Sequence, residues 1–300
     1  MNIANNWKDY KIIDMADGQK LERWGDIILS RPDPQIVWKN KSYPDEWKKA
    51  NAIYSRSKTG GGSWEYKKKI PSAWQIKYKD LTFNIKPMGF KHTGLFPEQA
   101  VNWDWMRDKI KNANREIKVL NLFAYTGGAT VSCLSAGASV CHVDSSKGMV
   151  TWAKENVTSS GLANKKVRYI VDDVVKFVNR EIRRGNKYDA IIMDPPSYGR
   201  GANGEVWQFE NNIYDLVELC TKVLSDKPLF FLINSYTTGI SSSVLANILN
   251  LTVSKKYKGK VESGEIGLPM EKSSLVLPAG IYGRWEEVHF GDGVKMHFNI

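Results

Sequence analysis

Between residues 119 and 234 the sequence alternates between short apolar runs and longer amphipathic stretches. The apolar runs fall at 119–123, 139–144, 167–171, 188–194 and 228–234. Stretches with helical spacing lie between them at 128–136, 146–159, 173–184 and 209–224. A chain that repeats strand and helix in this way can bury its strands only as a parallel sheet with helices on both faces. Such open sheets bind ligands outside the carboxyl ends of their strands. The ends of the first four runs are therefore the places to look for chemistry.

Each of those ends carries an unusual residue set. The first run passes into Ala124-Tyr125-Thr126-Gly127-Gly128, where glycine lets backbone approach a ligand and open a helix without a Cβ clash. Its spacing is not GxGxxG, so a dinucleotide pyrophosphate site is not indicated. The second run ends in Val143-Asp144-Ser145. An acid roughly 20 residues past a glycine turn suits a ribose hydroxyl pair, and Asp or Ser here also suits a helix cap. The third ends in Asp172-Asp173: one can accept from an adenine amino group while the other caps. The fourth ends in Met193-Asp194-Pro195-Pro196-Ser197-Tyr198. Two prolines cannot continue a ladder and force a rigid, exposed turn. A purely structural turn needs neither the acid before them nor the aromatic after them.

The segment before this pattern differs in texture. Residues 1–86 hold 17 Lys and Arg against 10 Asp and Glu, a net of +7 out of +11 for the whole chain. Short extended runs, Ile27-Ile28-Leu29 and Trp74–Tyr78, are separated by Asp17-Gly18, by Arg31-Pro32-Asp33-Pro34 and by Gly60-Gly61-Gly62. These signals predict a small, basic, mainly-β domain over 1–86, with one helix at most, and a second domain over 87–300. The second opens on a helix after Pro97, with Val101, Trp105 and Ile110 supplying an apolar face. The excess of cations favours polyanionic partners, nucleic acid first. Cys133, Cys141 and Cys220 form no CxxC pair; neither a disulfide framework nor a metal site is expected. No run approaches the length of a membrane span and MNIANNWKDY lacks an apolar signal, so a cytoplasmic protein is expected, with no membrane partner.

The runs VLNLFAYTGGAT, HVDSSKGMVTWAKENV, VDDVVKFV and YDAIIMDPPSYGRG, preceded by HTGLFPEQ, occur in an order and spacing that resemble the class I methyltransferases related to bacterial 23S ribosomal RNA large-subunit methyltransferases. The resemblance covers residues 85–286. It implies a Rossmann-like α/β sheet that binds S-adenosyl-L-methionine across its strand ends. By that match Asn121, Phe123, Ala124, Tyr125, Thr126, Gly127 and Gly128 line the methionine moiety. Asp144 with Ser145 holds the ribose, Asp173 beside Asp172 the adenine, and Asp194 and Pro195 border the reacting methyl. Phe96 and Gln99 close the pocket. The chain departs from its relatives in two places. Ala100 stands where many have arginine, and the Ile233–Thr237 loop lacks the cysteine of those that methylate cytosine at C5.

Methyl transfer from a sulfonium needs a positioned nucleophile and a dry site. A base nitrogen supplies its own lone pair, whereas cytosine C5 needs a thiolate to attack the ring first. The expected acceptor is accordingly a base nitrogen of RNA, ribosomal RNA first, with Asp194 and Pro195 beside the target and Tyr198 either stacking on an unpaired base or packing the turn. Lys58, Gly60, Gly61, Gly62, Trp64, Tyr66, Lys67, Lys68 and Lys69 suit backbone and base contacts with RNA, or else a solvated hairpin. His142, inside an apolar run, reads as a core residue. Glu205, Trp207 and Gln208 suit an acceptor pocket or a lid. Leu275–Ile281 with Arg284-Trp285 reads as a final hairpin. The competing readings are a methyltransferase for a small molecule or protein side chain, and an RNA-binding protein that keeps the pocket without turnover.

Overall fold

The computed structural model describes residues 1–57, 61–200 and 206–288. After a two-residue strand, β1 (Asn2–Ile3), the chain forms the antiparallel meander β2 (Tyr10–Ala16), β3 (Gln19–Trp24) and β4 (Ile27–Pro32). A short helix, α1 (Pro44–Trp47), precedes β5 (Ala52–Arg56), which lies parallel to β4. The strand β6 (Gly62–Tyr66) completes the five-stranded order β2-β3-β4-β5-β6. A separate hairpin follows, β7 (Trp74–Tyr78) and β8 (Leu81–Ile85). The expected mainly-β segment is thus present.

A 3-10 turn, Pro97–Gln99, leads straight into α2 (Ala100–Asn112). The alternating segment follows as β9 (Lys118–Leu122), α3 (Gly128–Ser135), β10 (Ser139–Asp144), α4 (Lys147–Ser159), β11 (Val167–Val171), α5 (Val174–Arg184) and β12 (Ala190–Met193). A small ladder, β13 (Tyr198–Arg200) with β14 (Val206–Gln208), precedes α6 (Phe209–Thr221), β15 (Phe230–Ser235), α7 (Ser242–Leu251), β16 (Gly259–Pro269) and β17 (Val276–Glu287). The eight-stranded sheet runs β1-β16-β17-β15-β12-β9-β10-β11. The five strands read from the sequence are parallel, and β17 is antiparallel to both its neighbours.

One expectation is corrected. Leu275–Ile281 and Arg284-Trp285 do not form a hairpin together: residues 276–287 are one strand, whose hairpin partner is β16. Pro278 and Gly280 read as turn residues, but Pro278 faces Gly267 where the register shifts, and a bulge tolerates the missing N–H.

Successive strand residues point to opposite faces, and each face has its own core. Val119, Val140, Ile192, Phe230 and Leu232 pack with α2 and α3, together with Trp24, Ile76, Tyr78 and Phe83 of the first segment. Trp103 of α2 meets the rings of Trp7, Tyr78 and Phe83 with centroids 5.1–6.1 Å apart. That core runs unbroken across residue 86. On the other face Leu120, Leu122, Val143, Ile191, Met193, Phe231 and Ile233 pack with α5, α6 and α7. Cys133, Cys141 and Cys220 are buried in these cores. Among the described residues no helix is long and apolar enough to cross a membrane.

Candidate active site

The turn after β9 is backbone held under strain. Phe123 and Tyr125 have φ of 53° and 51°, left-handed values that cost a non-glycine residue about 1–3 kcal/mol each. Cross-strand bonds keep them there: Ala124 N donates to the Val143 carbonyl at 3.0 Å, and Tyr125 N to Asp144 Oδ2 at 2.8 Å. Thr126 Oγ1 donates to the Gly94 carbonyl at 2.6 Å, tying the turn to the segment before Phe96. The glycines are sterically required. A Cβ on Gly127 (φ 83°) would come to 2.9 Å from Ala153, and one on Gly128 to 2.8 Å from the Trp103 ring. Below the turn, Asn121 Nδ2 donates to Thr130 Oγ1 at 3.0 Å, which is 2.9 Å from His142 Nδ1. His142 is buried and pushed down to about 4 by that burial; it is a neutral core residue, as its sequence context suggested.

Asp144 ends β10 half-buried, accepting from Tyr125 N and from Ser146 N, each at 2.8 Å. Burial raises its carboxyl and these two N–H groups oppose the rise. The cap of α4 is Ser146, which leaves Asp144 and Ser145 facing the cleft. Asp172 is paired with Arg180, and Asp173 caps α5 by accepting from Lys176 N at 2.9 Å. Neither Asp172 nor Asp173 lines the cleft.

That cleft has a volume of about 490 Å³. Phe96, Phe123, Tyr125, Asp144, Ser145, Asp194 and Pro195 line it. It adjoins a recess of about 50 Å³ lined by Phe96, Gln99, Asn121, Phe123, Ala124, Tyr125, Thr126, Gly128 and Asp194. The expected residues of the glycine turn, the second strand end and the Asp-Pro-Pro turn therefore converge. Asp194 Oδ1 is shut off from solvent and has no hydrogen-bond partner among the described residues. Burial, with the nearby Glu98 charge, pushes this carboxyl up to about 7.

The Asp-Pro-Pro turn is braced from two sides. Ser197 Oγ lies 2.9 Å from Thr237 Oγ1, and Trp207 Nε1 donates to the Pro196 carbonyl at 2.6 Å. The Trp207 ring also meets Phe123, centroids 5.4 Å apart. Trp207 is thus a clamp between two strand ends. Gln208 donates its backbone N–H to Asn212 Oδ1 at the start of α6, and Glu205 lies outside the described residues. Tyr198 is half exposed on the β13–β14 ladder, outside the cleft lining, with Arg200 Nε donating to its hydroxyl at 3.0 Å. Lys67 is exposed and paired with Glu65. Lys68 and Lys69 lie by Tyr66 and Pro87, away from the cleft lining; Lys58 and Gly60 lie outside the described residues.

Besides Gln99, two groups of residues in or behind the cleft were not singled out in the sequence reading. Glu98, buried and with its carboxyl raised by burial, faces Asp194 and shares a hydrogen bond with the Tyr236 hydroxyl. Asn102 Nδ2 donates to Gln99 Oε1 at 2.9 Å and to Asn234 Oδ1 at 2.8 Å, while Arg284 Nη2 donates to Asn102 Oδ1 at 2.6 Å. The i, i+3 pair Gln99 and Asn102 at the start of a helix was the available clue. The second group, Lys20, Arg31 and Asp33, comes from the N-terminal sheet and reaches the same cleft with Lys91 and His92.

An open sheet with β17 antiparallel to its neighbours, a strained glycine turn and acids at its strand ends define a nucleoside-cofactor transferase site. The family model for S-adenosylmethionine-dependent methyltransferases matches residues 57–241, and the chain belongs to that family. A crystal structure of the SAM-dependent methyltransferase from Agrobacterium tumefaciens superposes with a TM-score of 0.89 at 35% identity, over 95% of this chain and 92% of that one. Among curated relatives, ribosomal RNA large subunit methyltransferase K/L of Shewanella frigidimarina is 34% identical over 145 residues, 48% of this chain and 20% of that protein. Ribosomal RNA large subunit methyltransferase I of Enterobacter sp. is 33% identical over 129 residues, 43% of this chain and 32% of that protein. The chain thus matches between a fifth and a third of the length of these two curated relatives. The enzyme class is methyltransferase and the cofactor S-adenosylmethionine.

Proposed function

We propose that the protein methylates a base nitrogen of RNA, ribosomal RNA first, in the cytoplasm. The observation that carries this reading is Asp194, whose Oδ1 is shut off from solvent with no hydrogen-bond partner among the described residues, at a rigid Asp-Pro-Pro turn lining a cleft that adjoins the recess beside the strained glycine turn. Such an acceptor is costly to bury unless a ligand hydrogen completes it. The names of the relatives supply the RNA. The basic share of residues 1–86, read as a recruiting unit beside the catalytic residues 87–300, agrees with it.

The residues present fit the cofactor. The recess lined by Asn121, Phe123, Ala124, Tyr125, Thr126 and Gly128, with Gly127 in the turn behind it, offers the close backbone approach that the methionine arm requires, with Phe96 and Gln99 closing it. Asp144 keeps carboxylate lone pairs for the ribose hydroxyls after accepting two N–H groups, and Ser145 lies beside it. Asp172 and Asp173, committed to Arg180 and to the α5 cap and outside the cleft lining, are not assigned to the adenine. S-adenosylmethionine supplies an activated methyl on a sulfonium.

Everything else falls to the chain's own groups. Asp194 and the Pro195 carbonyl accept from the target's N–H, orienting its lone pair, and Asp194 takes up the proton released as the N–C bond forms. Phe123, Pro195 and Tyr236 exclude water. Tyr198, beside the turn, offers its exposed ring to an unpaired base. The test is tritiated methyl transfer to total RNA from a strain lacking the protein, followed by nucleoside analysis. An N-methylated base is expected; label confined to small molecules or protein, or appearing as 5-methylcytosine, refutes the reading.

A further inference from the structure

The mouth of the cleft carries a group of cations that the methyl-transfer chemistry does not use. Lys20 of β3, Arg31 of β4 and Lys91 line it, and His92 lies beside them. Arg31 is committed to Glu22, donating Nε to Oε2 at 2.7 Å and Nη2 to Oε1 at 2.8 Å. Lys20 is paired with Asp33 at 3.2 Å. Lys91 differs. Its ammonium donates to the Pro32 carbonyl at 3.4 Å, and among the described residues no carboxylate lies within ion-pair distance of it. Burial, then the charges of Lys20, Arg56 and Arg31, with Asp33 opposing, hold Lys91 down to about 8. His92 is pushed down to about 4, by burial first and then by Arg31 and Lys91, so it is neutral at pH 7.

Like charges crowded into a concave, low-dielectric site raise the local concentration of anions. The anion must leave room for a group reaching Asp194 within the same cleft. A phosphodiester or phosphomonoester on the acceptor meets both conditions: it pairs with ammonium groups and accepts from a neutral imidazole. We propose that Lys91, flanked by Lys20 and His92, holds a phosphate of the acceptor at the cleft mouth, so that the base of that same nucleotide enters toward Asp194. The N-terminal sheet then sets the register of the acceptor as well as attracting it. Arg31 positions this site through its Nη1, which donates to the Lys91 carbonyl at 3.0 Å.

The inference rests on the RNA reading for the identity of the phosphate, and the experiment separates the two. Methyl transfer from S-adenosylmethionine to hypomethylated ribosomal RNA is measured for wild type, Lys91→Met and Lys91→Arg between 50 and 200 mM KCl. Lys91→Met is expected to raise the RNA KM about tenfold and to flatten its dependence on log salt by roughly 0.7–0.9. Cofactor affinity should be unchanged, and Lys91→Arg should recover most of the loss. A Lys91→Met enzyme with the wild-type KM and slope overturns the proposal. If the wild type labels no RNA, the RNA reading fails, and calorimetry with inorganic pyrophosphate then decides the phosphate site. Heats lost in Lys91→Met uphold it; equal heats in both proteins overturn it.

Discussion

Gln99 Nε2 donates to the Tyr236 hydroxyl at 2.7 Å, joining the 3-10 turn before α2 to the loop after β15. That hydroxyl also bonds with Glu98, so one phenol connects the floor of the cofactor recess with the carboxylates of the cleft. Tyr236→Phe keeps the ring against Phe96 and deletes only this link. We expect the variant to fold with a loss of about 1 kcal/mol, while single-turnover methyl transfer falls roughly tenfold, about 1.4 kcal/mol of barrier. Rapid-quench measurement beside a denaturant titration checks both; unchanged single turnover would leave Tyr236 as packing only.

Asp194, pushed up to about 7 by burial and by Glu98, must be ionised to accept a proton. Activity should therefore rise with pH through about 7. In Glu98→Gln the rise should move toward acid, because the repelling charge is gone. The fold pays for this ionisation: a carboxyl raised in the native state contributes stability below its unfolded pKa that is lost as pH rises toward 7. Asp194→Asn should be relatively more stable at pH 8 than at pH 4. A pH–rate profile of kcat/KM with parallel melting curves reads both effects.

Glu22 shows the opposite sign. Arg31 holds this buried carboxyl down to about 2, so its contribution is present above its unfolded value near 4.5 and disappears as pH falls through about 2. Removing one partner of a buried pair typically costs about 3–5 kcal/mol. Glu22→Ala should unfold at much lower denaturant at pH 7, and the gap from wild type should close in strong acid.

Asp144→Ala should weaken S-adenosylmethionine binding by at least about tenfold, the worth of one hydrogen bond to a charged group. Calorimetry on the folded variant measures it, and an unchanged affinity would assign Asp144 only to the turn it braces through Tyr125.

Strand ends were the most legible part of this molecule. The runs at 139–144 and 167–171 became strands with those same bounds, because an apolar run cut off by an acid or a cap has little freedom in where it ends. The β16–β17 hairpin was hidden because Pro278 and Gly280 mimic a turn while sitting in a bulged ladder. Glu98 sits in the first turn before α2, where an acid is ordinary; its burial beside Tyr236, which no local pattern encodes, gives it a place in the site. Lys20 and Arg31 reach the cleft only through packing of one sheet against another, so their role was invisible to any reading of neighbours in sequence.

The most direct test of the account is a paired measurement on Asp194→Ala: S-adenosylmethionine affinity by calorimetry and single-turnover methyl transfer to RNA. Cofactor affinity should fall only modestly, while transfer should drop by at least about a hundredfold, the usual contribution of a positioned proton acceptor. Transfer at a near wild-type rate would contradict the account and move the chemistry away from the Asp-Pro-Pro turn.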